Sequence, residues 1–220
     1  MFSLEVKLKN LIKMSAPKLI DVTPFDPIII KAHYEGFDWE KLKPVCQKMI
    51  NDTPVAVEVE GEHGKSSVYN RTNMPHTNPA FKEFYNWLYP IAQHIIKNEW
   101  GYEKSFEYSI ANSWVNVHHK GGVTLEHHHG PCILVAATYL QLPEDSGYIL
   151  YKDPLEYTKG LNQHHEVEEW VWKKVKAETG DVLLFPGWVR HKTEYSQSNK
   201  ERWVLTTNIM SMNRPPINKY

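Results

Sequence analysis

Val123-Thr124-Leu125-Glu126-His127-His128-His129, directly after Gly121-Gly122, is the stretch from which the rest of the chain is read. In an extended strand, side chains two apart share a face. One face then carries Val123, Leu125, His127 and His129, and the other carries Thr124, Glu126 and His128. Two imidazoles thereby continue an apolar, inward-looking row. Histidines at i and i+2 of one strand can fill two adjacent corners of a metal's coordination sphere. Strand parity selects His127 and His129 as the pair and leaves His128 on the polar face.

A third ligand has to come from a strand that folds beside this one. His191 is the candidate. It follows Asp181-Val-Leu-Leu-Phe185, an apolar strand pattern, and then Pro186-Gly187, a turn. Three protein ligands on an octahedral ion leave positions open for a co-substrate and O₂. Arg202 comes eleven residues later and heads Arg-Trp-Val-Leu-Thr-Thr-Asn-Ile, whose alternate face is Arg202, Val204, Thr206 and Asn208. An inward guanidinium requires an anion, because a buried unpaired charge is costly. A dicarboxylate would supply one.

Around this pair of motifs the texture is β-rich. From Ser105 onward, runs rich in Val, Ile, Tyr, Trp and Thr alternate with Gly, Pro and Asp signals. Strands are expected at Phe106–His118, Val123–His129, Ile133–Leu142, Gly147–Tyr151, Val167–Val175, Asp181–Phe185, Trp188–Glu194 and Arg202–Met210. Before Ser105 the pattern is mixed. Leu19–Ala32 reads as a strand and Val55–Gly61 as a shorter one, with polar loop over Gly61–Thr77. Phe37–Ile50 reads as a helix N-capped by Asp38, with Pro44 in its early turns. Asn78-Pro79 opens a second helix with Phe81, Phe84, Leu88, Ile91 and Ile95 on its buried face. Pro90 is expected to kink it, and His94 to be an ordinary packed residue. Strands after a helical preface point to a mainly β protein, a jelly roll or barrel with N-terminal helices packed on one sheet. Lys152–Glu166, containing His164-His165, is the longest irregular stretch and a candidate lid.

Composition narrows the function classes. The chain has 220 residues, is 41% hydrophobic and has a formal net charge of −1. It can bury a sizeable core, and one domain is expected: a tail (1–18), a preface (19–104) and a jelly-roll core (105–211). Near-neutral charge gives no bulk case for a nucleic-acid duplex or a membrane surface. Its two cysteines, Cys46 and Cys132, fit free thiols in a reducing compartment. The longest apolar run, Ile133–Leu140, is far short of the ~20 residues of a spanning helix. Met1–Lys18 has no apolar signal region.

Taken in order, Ser113-Trp114-Val-Asn116, Gly121-Gly122, His127-x-His129, Tyr139-x-x-x-Pro143-x-x-Ser146-Gly147, Asp153-Pro154, Gly180-Asp-Val-Leu-Leu-Phe-Pro186-x-Trp188-x-x-His191 and Arg202 through Asn208 resemble the 2-oxoglutarate/Fe(II) oxygenase family with members in marine bacteria and their phages. The resemblance spans about Ser105–Ser211. It implies a double-stranded β-helix that uses Fe(II), 2-oxoglutarate and O₂ to hydroxylate a small-molecule or peptide substrate in the cytoplasm, the host's if the protein is phage-encoded. His127, His129 and His191 would hold the metal, and Arg202 would bind the distal carboxylate of 2-oxoglutarate. Asn116, Tyr139 and Thr206 would line the same pocket. Two departures matter. His129 stands where the wider superfamily carries Asp or Glu, and Val204 replaces the serine of the family's Arg-x-Ser. An all-His site keeps two other readings open: a three-His cupin-type metalloprotein that does not use 2-oxoglutarate, and a non-catalytic jelly-roll module of a phage.

Overall fold

The computed structural model describes residues 20–21, 29–54, 63–156 and 171–213. Its frame is a seven-stranded antiparallel sheet. Strands β1 (Ile20–Asp21), β2 (Ile30–His33), β3 (Gly64–Ser66), β4 (Tyr108–His118), β5 (Leu134–Gln141), β8 (Asp181–Pro186) and β10 (Arg202–Ser211) run in the order β1-β2-β8-β5-β10-β4-β3. A second, three-stranded sheet has the order β7-β6-β9, from β6 (Ile149–Lys152), β7 (Trp172–Val175) and β9 (His191–Thr193). The two sheets form the jelly roll that the strand pattern and the resemblance anticipate.

Strand alternation sorts each central strand of the large sheet into two faces. Val115 and Val117 of β4, Leu134 and Ala136 of β5, Val182 and Leu184 of β8, and Trp203, Leu205 and Ile209 of β10 are buried in one cluster with the helices. Helix α1 (Trp39–Asn51) is capped by Asp38, whose side chain accepts from the Lys41 amide. It buries Leu42, Cys46, Met49 and Ile50, and Pro44 lies inside it. Helix α2 (Lys82–His94) follows a 3₁₀ turn at Pro79–Phe81, where the Asn78 side chain accepts from the Ala80 amide. Phe81, Phe84, Leu88, Ile91 and Ile95 are all 2% exposed or less, the face that helical spacing predicts. Fully burying such a side chain is worth roughly 1.5–3 kcal/mol, so these five outweigh the ~3 kcal/mol that an interior proline such as Pro90 can cost. The helix then widens into a π-turn, Ile95–Glu99, and Gly101 leaves it at φ +71°. His94 bonds Glu99 at 3.0 Å and is a packed residue as expected.

The other faces of the same strands, including Val135, Ala137 and Tyr139 of β5 and Leu183 and Phe185 of β8, pack toward the small sheet's Ile149 and Tyr151. Helices cover one side of the large sheet, and the interior between the sheets is left for a cavity.

Several sequence expectations change. Within Leu19–Ala32 the described residues belong to two short antiparallel strands, β1 and β2, with Ile20 opposite Lys31. The polar loop over Gly61–Thr77 contains β3, paired to β4. The strand expected from Trp188 begins only at His191, and Trp188 is exposed. Val123–His129 is not a regular strand. Thr193 N–H donates to the Thr124 carbonyl, and the next pairing is a bridge between His127 and His191. Three steps on one side therefore face two on the other. This bulge breaks the parity between Val123 and His127. Leu125, expected inward, is accordingly 63% exposed, whereas Val123 is buried. Val55–Gly61, most of the Lys152–Glu166 lid candidate with His164-His165, and 167–170 of the expected seventh strand lie outside the described residues.

Candidate metal centre

The bulged segment and β9 bring three imidazoles together. His127, His129 and His191 each offer a ring nitrogen, and these atoms lie within 4.8 Å of one another. The His127 and His191 rings are 4.2 Å apart between centroids, and His129 stacks on His191 at 5.2 Å. Trp114 of β4 stacks on the outer side of His129, and Phe185 packs edge-on against His191.

Each ring is held by its Nδ1. His127 Nδ1 lies 2.8 Å from the Leu125 carbonyl, His191 Nδ1 lies 2.9 Å from the Val189 carbonyl, and His129 Nδ1 lies 2.8 Å from Asn208 Oδ1. A carbonyl oxygen can only accept, so each Nδ1 carries the proton and each Nε2 keeps its lone pair. Burial also favours the neutral ring. It lowers the pKa of His127, takes His129 down to about 4 and holds His191 well below the ordinary value, with neighbouring imidazoles adding to the effect in His129 and His191. Three neutral imidazoles, tautomer-locked with Nε2 convergent, fit a divalent transition metal. His128 is exposed and takes no part, as parity predicts.

The same cavity, about 360 Å³, extends from the histidines to Arg202, and Asn116, Tyr139 and Thr206 line it too. Arg202 is 1% exposed. Its Nη1 donates to the Ser146 carbonyl at 2.6 Å and its Nη2 to Thr193 Oγ1 at 3.1 Å. Its Nε is buried with no hydrogen-bond partner. Among the described residues no carboxylate pairs with it, and burial lowers its pKa. Tyr139 is buried beside it; burial raises the phenol's pKa, and the guanidinium partly opposes that shift. A buried cation with no carboxylate partner among the described residues suits an acidic ligand.

Sequence reading did not single out Asn208 as a holder of His129, nor Thr193, Thr124 and His118 at the arginine end. Asn208 was recoverable by parity, since it shares the face of Arg202 and Thr206. Thr193 was recoverable too, two residues after His191. His118 and Thr124 needed the fold. A second cluster, His33, Glu178 and Asp181, is a clamp between β2 and β8. Lys31 Nζ at 3.1 Å already pairs with Asp181, and His33 Nδ1 lies 2.8 Å from its other carboxylate oxygen.

Comparison with known proteins bears on the fold and family. Residues 112–208 match the model of a family described as "Putative 2OG-Fe(II) oxygenase". No curated protein sequence matches the chain. Among solved structures, the non-heme alpha-ketoglutarate-dependent carbocyclase SnoK of nogalamycin biosynthesis superposes with TM-score 0.58 at 13% identity, over 86% of this chain and 83% of that one. HygX from Streptomyces hygroscopicus, solved with nickel, 2-oxoglutarate and hygromycin B, gives 0.56 at 11% identity, over 84% and 82%. A prolyl-4-hydroxylase from Pseudomonas putida gives 0.53 at 14% identity, over 80% and 86%. At such identities the structural likeness speaks for the fold.

Proposed function

We infer, from a strand core that belongs to the 2OG-Fe(II) oxygenase family over Asn112–Asn208, that this chain is an Fe(II)- and 2-oxoglutarate-dependent oxygenase that hydroxylates a small-molecule or peptide substrate. One observation carries the reading: a single cavity has three convergent neutral imidazoles at one end and an unpaired buried guanidinium at the other. In this assignment His127, His129 and His191 hold the iron through Nε2. Arg202 takes the distal carboxylate of 2-oxoglutarate, and Asn116, Tyr139 and Thr206 line the co-substrate's site. When bound, the iron and 2-oxoglutarate supply the oxidative chemistry, in which O₂ is split between succinate and the hydroxylated product and CO₂ is lost.

The chain's own residues orient and shield. The Leu125 and Val189 carbonyls and Asn208 fix the ring planes of the three imidazoles. Trp114 and Phe185 flank that triad and keep water from its sides. Val135, Ala137, Ile149 and Val204 give the cavity an apolar lining between its two polar ends. That lining strengthens the attraction of Arg202 for a carboxylate, because the local dielectric is low. The replacement of the usual acidic ligand by His129 leaves the metal site one unit more positive, which favours a dianionic co-substrate.

Anaerobic titration tests the proposal. Fe(II) with 2-oxoglutarate should give a weak visible charge-transfer band that neither gives separately, and admission of O₂ should yield succinate. His191→Ala and Arg202→Ala should abolish both. A band and turnover that ignore 2-oxoglutarate would move the protein to the class of three-His dioxygenases that use no oxoacid.

A further inference from the structure

The arginine end of the cavity holds more than Arg202. Thr193 Oγ1 already accepts two hydrogen bonds, from Arg202 Nη2 at 3.1 Å and from the Thr124 amide at 2.8 Å. Its remaining capacity is as a donor. Thr193 follows His191 by two residues on β9 and, like it, faces the cavity. Thr124 Oγ1 meets His118 Nε2 at 3.1 Å. His118 ends β4 directly opposite Arg202 in the register, is 2% exposed and also lines the cavity. Its Nδ1 is buried without a hydrogen bond of ordinary geometry, although the Val123 backbone lies close to the ring.

The proton positions follow from this circuit. The one hydrogen bond the Thr124 hydroxyl is seen to make is with His118 Nε2. If that hydroxyl donates, His118 carries its own proton on Nδ1. Burial first, and the Arg202 guanidinium second, keep this imidazole uncharged, with its pKa down at about 3. At this end of the cavity Arg202 Nε has no hydrogen-bond partner and the Thr193 hydroxyl still has a proton to give, and with that tautomer His118 Nδ1 adds a third donor beside the Val123 backbone. Buried donors in that number call for a ligand that only accepts.

The position of His118 is built. A Cβ on Gly64 would lie 3.2 Å from its Cδ2, and a Cβ on Gly122 would lie 2.9 Å from its Cβ. The two glycines let β3 and the Gly121-Gly122 turn pack closely against the Val117 and His63 carbonyls, with His118 beside them. Val204 meanwhile leaves β10 without the serine hydroxyl of the family's Arg-x-Ser.

We propose that Thr193 and His118 complete a carboxylate cradle with Arg202, and that their two donors, from β9 and β4, stand in for the serine hydroxyl that Val204 cannot offer. The inference rests on the proposed use of 2-oxoglutarate and names the residues that read its distal carboxylate. Under it, the cradle adds hydrogen-bond donors and no second positive charge, which suits a single carboxylate.

The test compares two ligands on the full-length, Ni(II)-loaded protein by isothermal titration. 2-Oxoglutarate has the distal carboxylate, and oxalate chelates the metal without one. Thr193→Val and His118→Phe should each weaken 2-oxoglutarate binding about 10- to 100-fold, the worth of one hydrogen bond to a charged group. Oxalate binding should stay within about twofold. Thr193→Ser and His118→Asn, which keep a donor near the same place, should recover most of the affinity. If 2-oxoglutarate binding is unchanged in Thr193→Val and His118→Phe while Arg202→Ala abolishes it, the cradle is overturned and the oxygenase reading stands. Equal weakening of both ligands also overturns the cradle, because the residues would then act on the metal end. A wild-type protein that binds oxalate but never 2-oxoglutarate removes the oxygenase reading itself.

Discussion

Replacing Arg202 with Met separates a ligand-binding arginine from a structural one. In the ligand-free protein the guanidinium makes two hydrogen bonds, to the Ser146 carbonyl and Thr193 Oγ1, and leaves Nε unpaired. Losing two hydrogen bonds to a charged group costs about 3–6 kcal/mol. Removing a buried cation that has no carboxylate partner among the described residues relieves several kcal/mol of desolvation, and Met fills much of the same volume. The two nearly cancel, so Arg202→Met should change ligand-free stability by no more than about 2 kcal/mol. The ligand response should differ sharply. With Ni(II) present and 2-oxoglutarate at a hundred times its Kd, the wild-type protein gains about 2.7 kcal/mol by mass action. For a chain of this size that raises Tm by roughly 5–11 °C. The variant should show no such rise. Urea midpoints without ligand and thermal scans with and without 2-oxoglutarate give both numbers. A ligand-free loss beyond about 4 kcal/mol would make Arg202 a structural strut, and a full ligand-induced rise in the variant would place the carboxylate elsewhere.

Three further outcomes follow from the same geometry. Asn208→Ala frees His129 Nδ1, and metal affinity measured by competition with a chelating dye should fall about 10- to 100-fold; an unchanged affinity would mean the ring needs no holder. The pH dependence has a definite sign. His118, His127, His129 and His191 all titrate lower in the folded protein than in the unfolded chain. The unfolded state therefore binds more protons as pH falls below about 6.5, and metal-free stability is full above that value and declines below it, by about 1.4 kcal/mol per unit for each such imidazole. Urea midpoints that stay flat between pH 7.5 and 5 would contradict the neutral-ring assignment. Gly187→Ala would set a Cβ 2.2 Å from the Cys132 carbonyl oxygen, and Gly187's own carbonyl accepts from the His129 amide at 2.7 Å. We expect a loss of about 1–3 kcal/mol together with weakened metal binding; a variant that keeps both its Tm and its metal would show that this turn yields freely.

The strand pattern carried most of the architecture because alternation is enforced by burial on both sides of the large sheet. Arg202, Val204, Thr206 and Asn208 fall on the cavity side of β10 as parity requires, and Trp203, Leu205 and Ile209 on the helix side. Parity failed at Leu125, where one extra residue opposite β9 turns the chain. The pair that parity selected, His127 and His129, still converges with His191, since both lie beyond the bulge and keep their mutual spacing. What could not be read in advance was tertiary. His118 meets Arg202 only because β4 and β10 pair in one register. A single sequence carries no signal of that register until the sheet is assembled.

The anchors of the three imidazoles differ in kind. His127 and His191 each bond the main-chain carbonyl two residues before them, and His129 bonds a side chain on another strand. A side-chain replacement cannot delete a main-chain carbonyl. Of the three anchors, only that of His129 can be removed by a single side-chain replacement, at Asn208. Asp there would strengthen the pull on His129 and return to the site the negative charge it lacks, one shell further out, while a hydrophobic residue would release it. A change at position 208 would thus reach His129 without altering any of the three imidazoles.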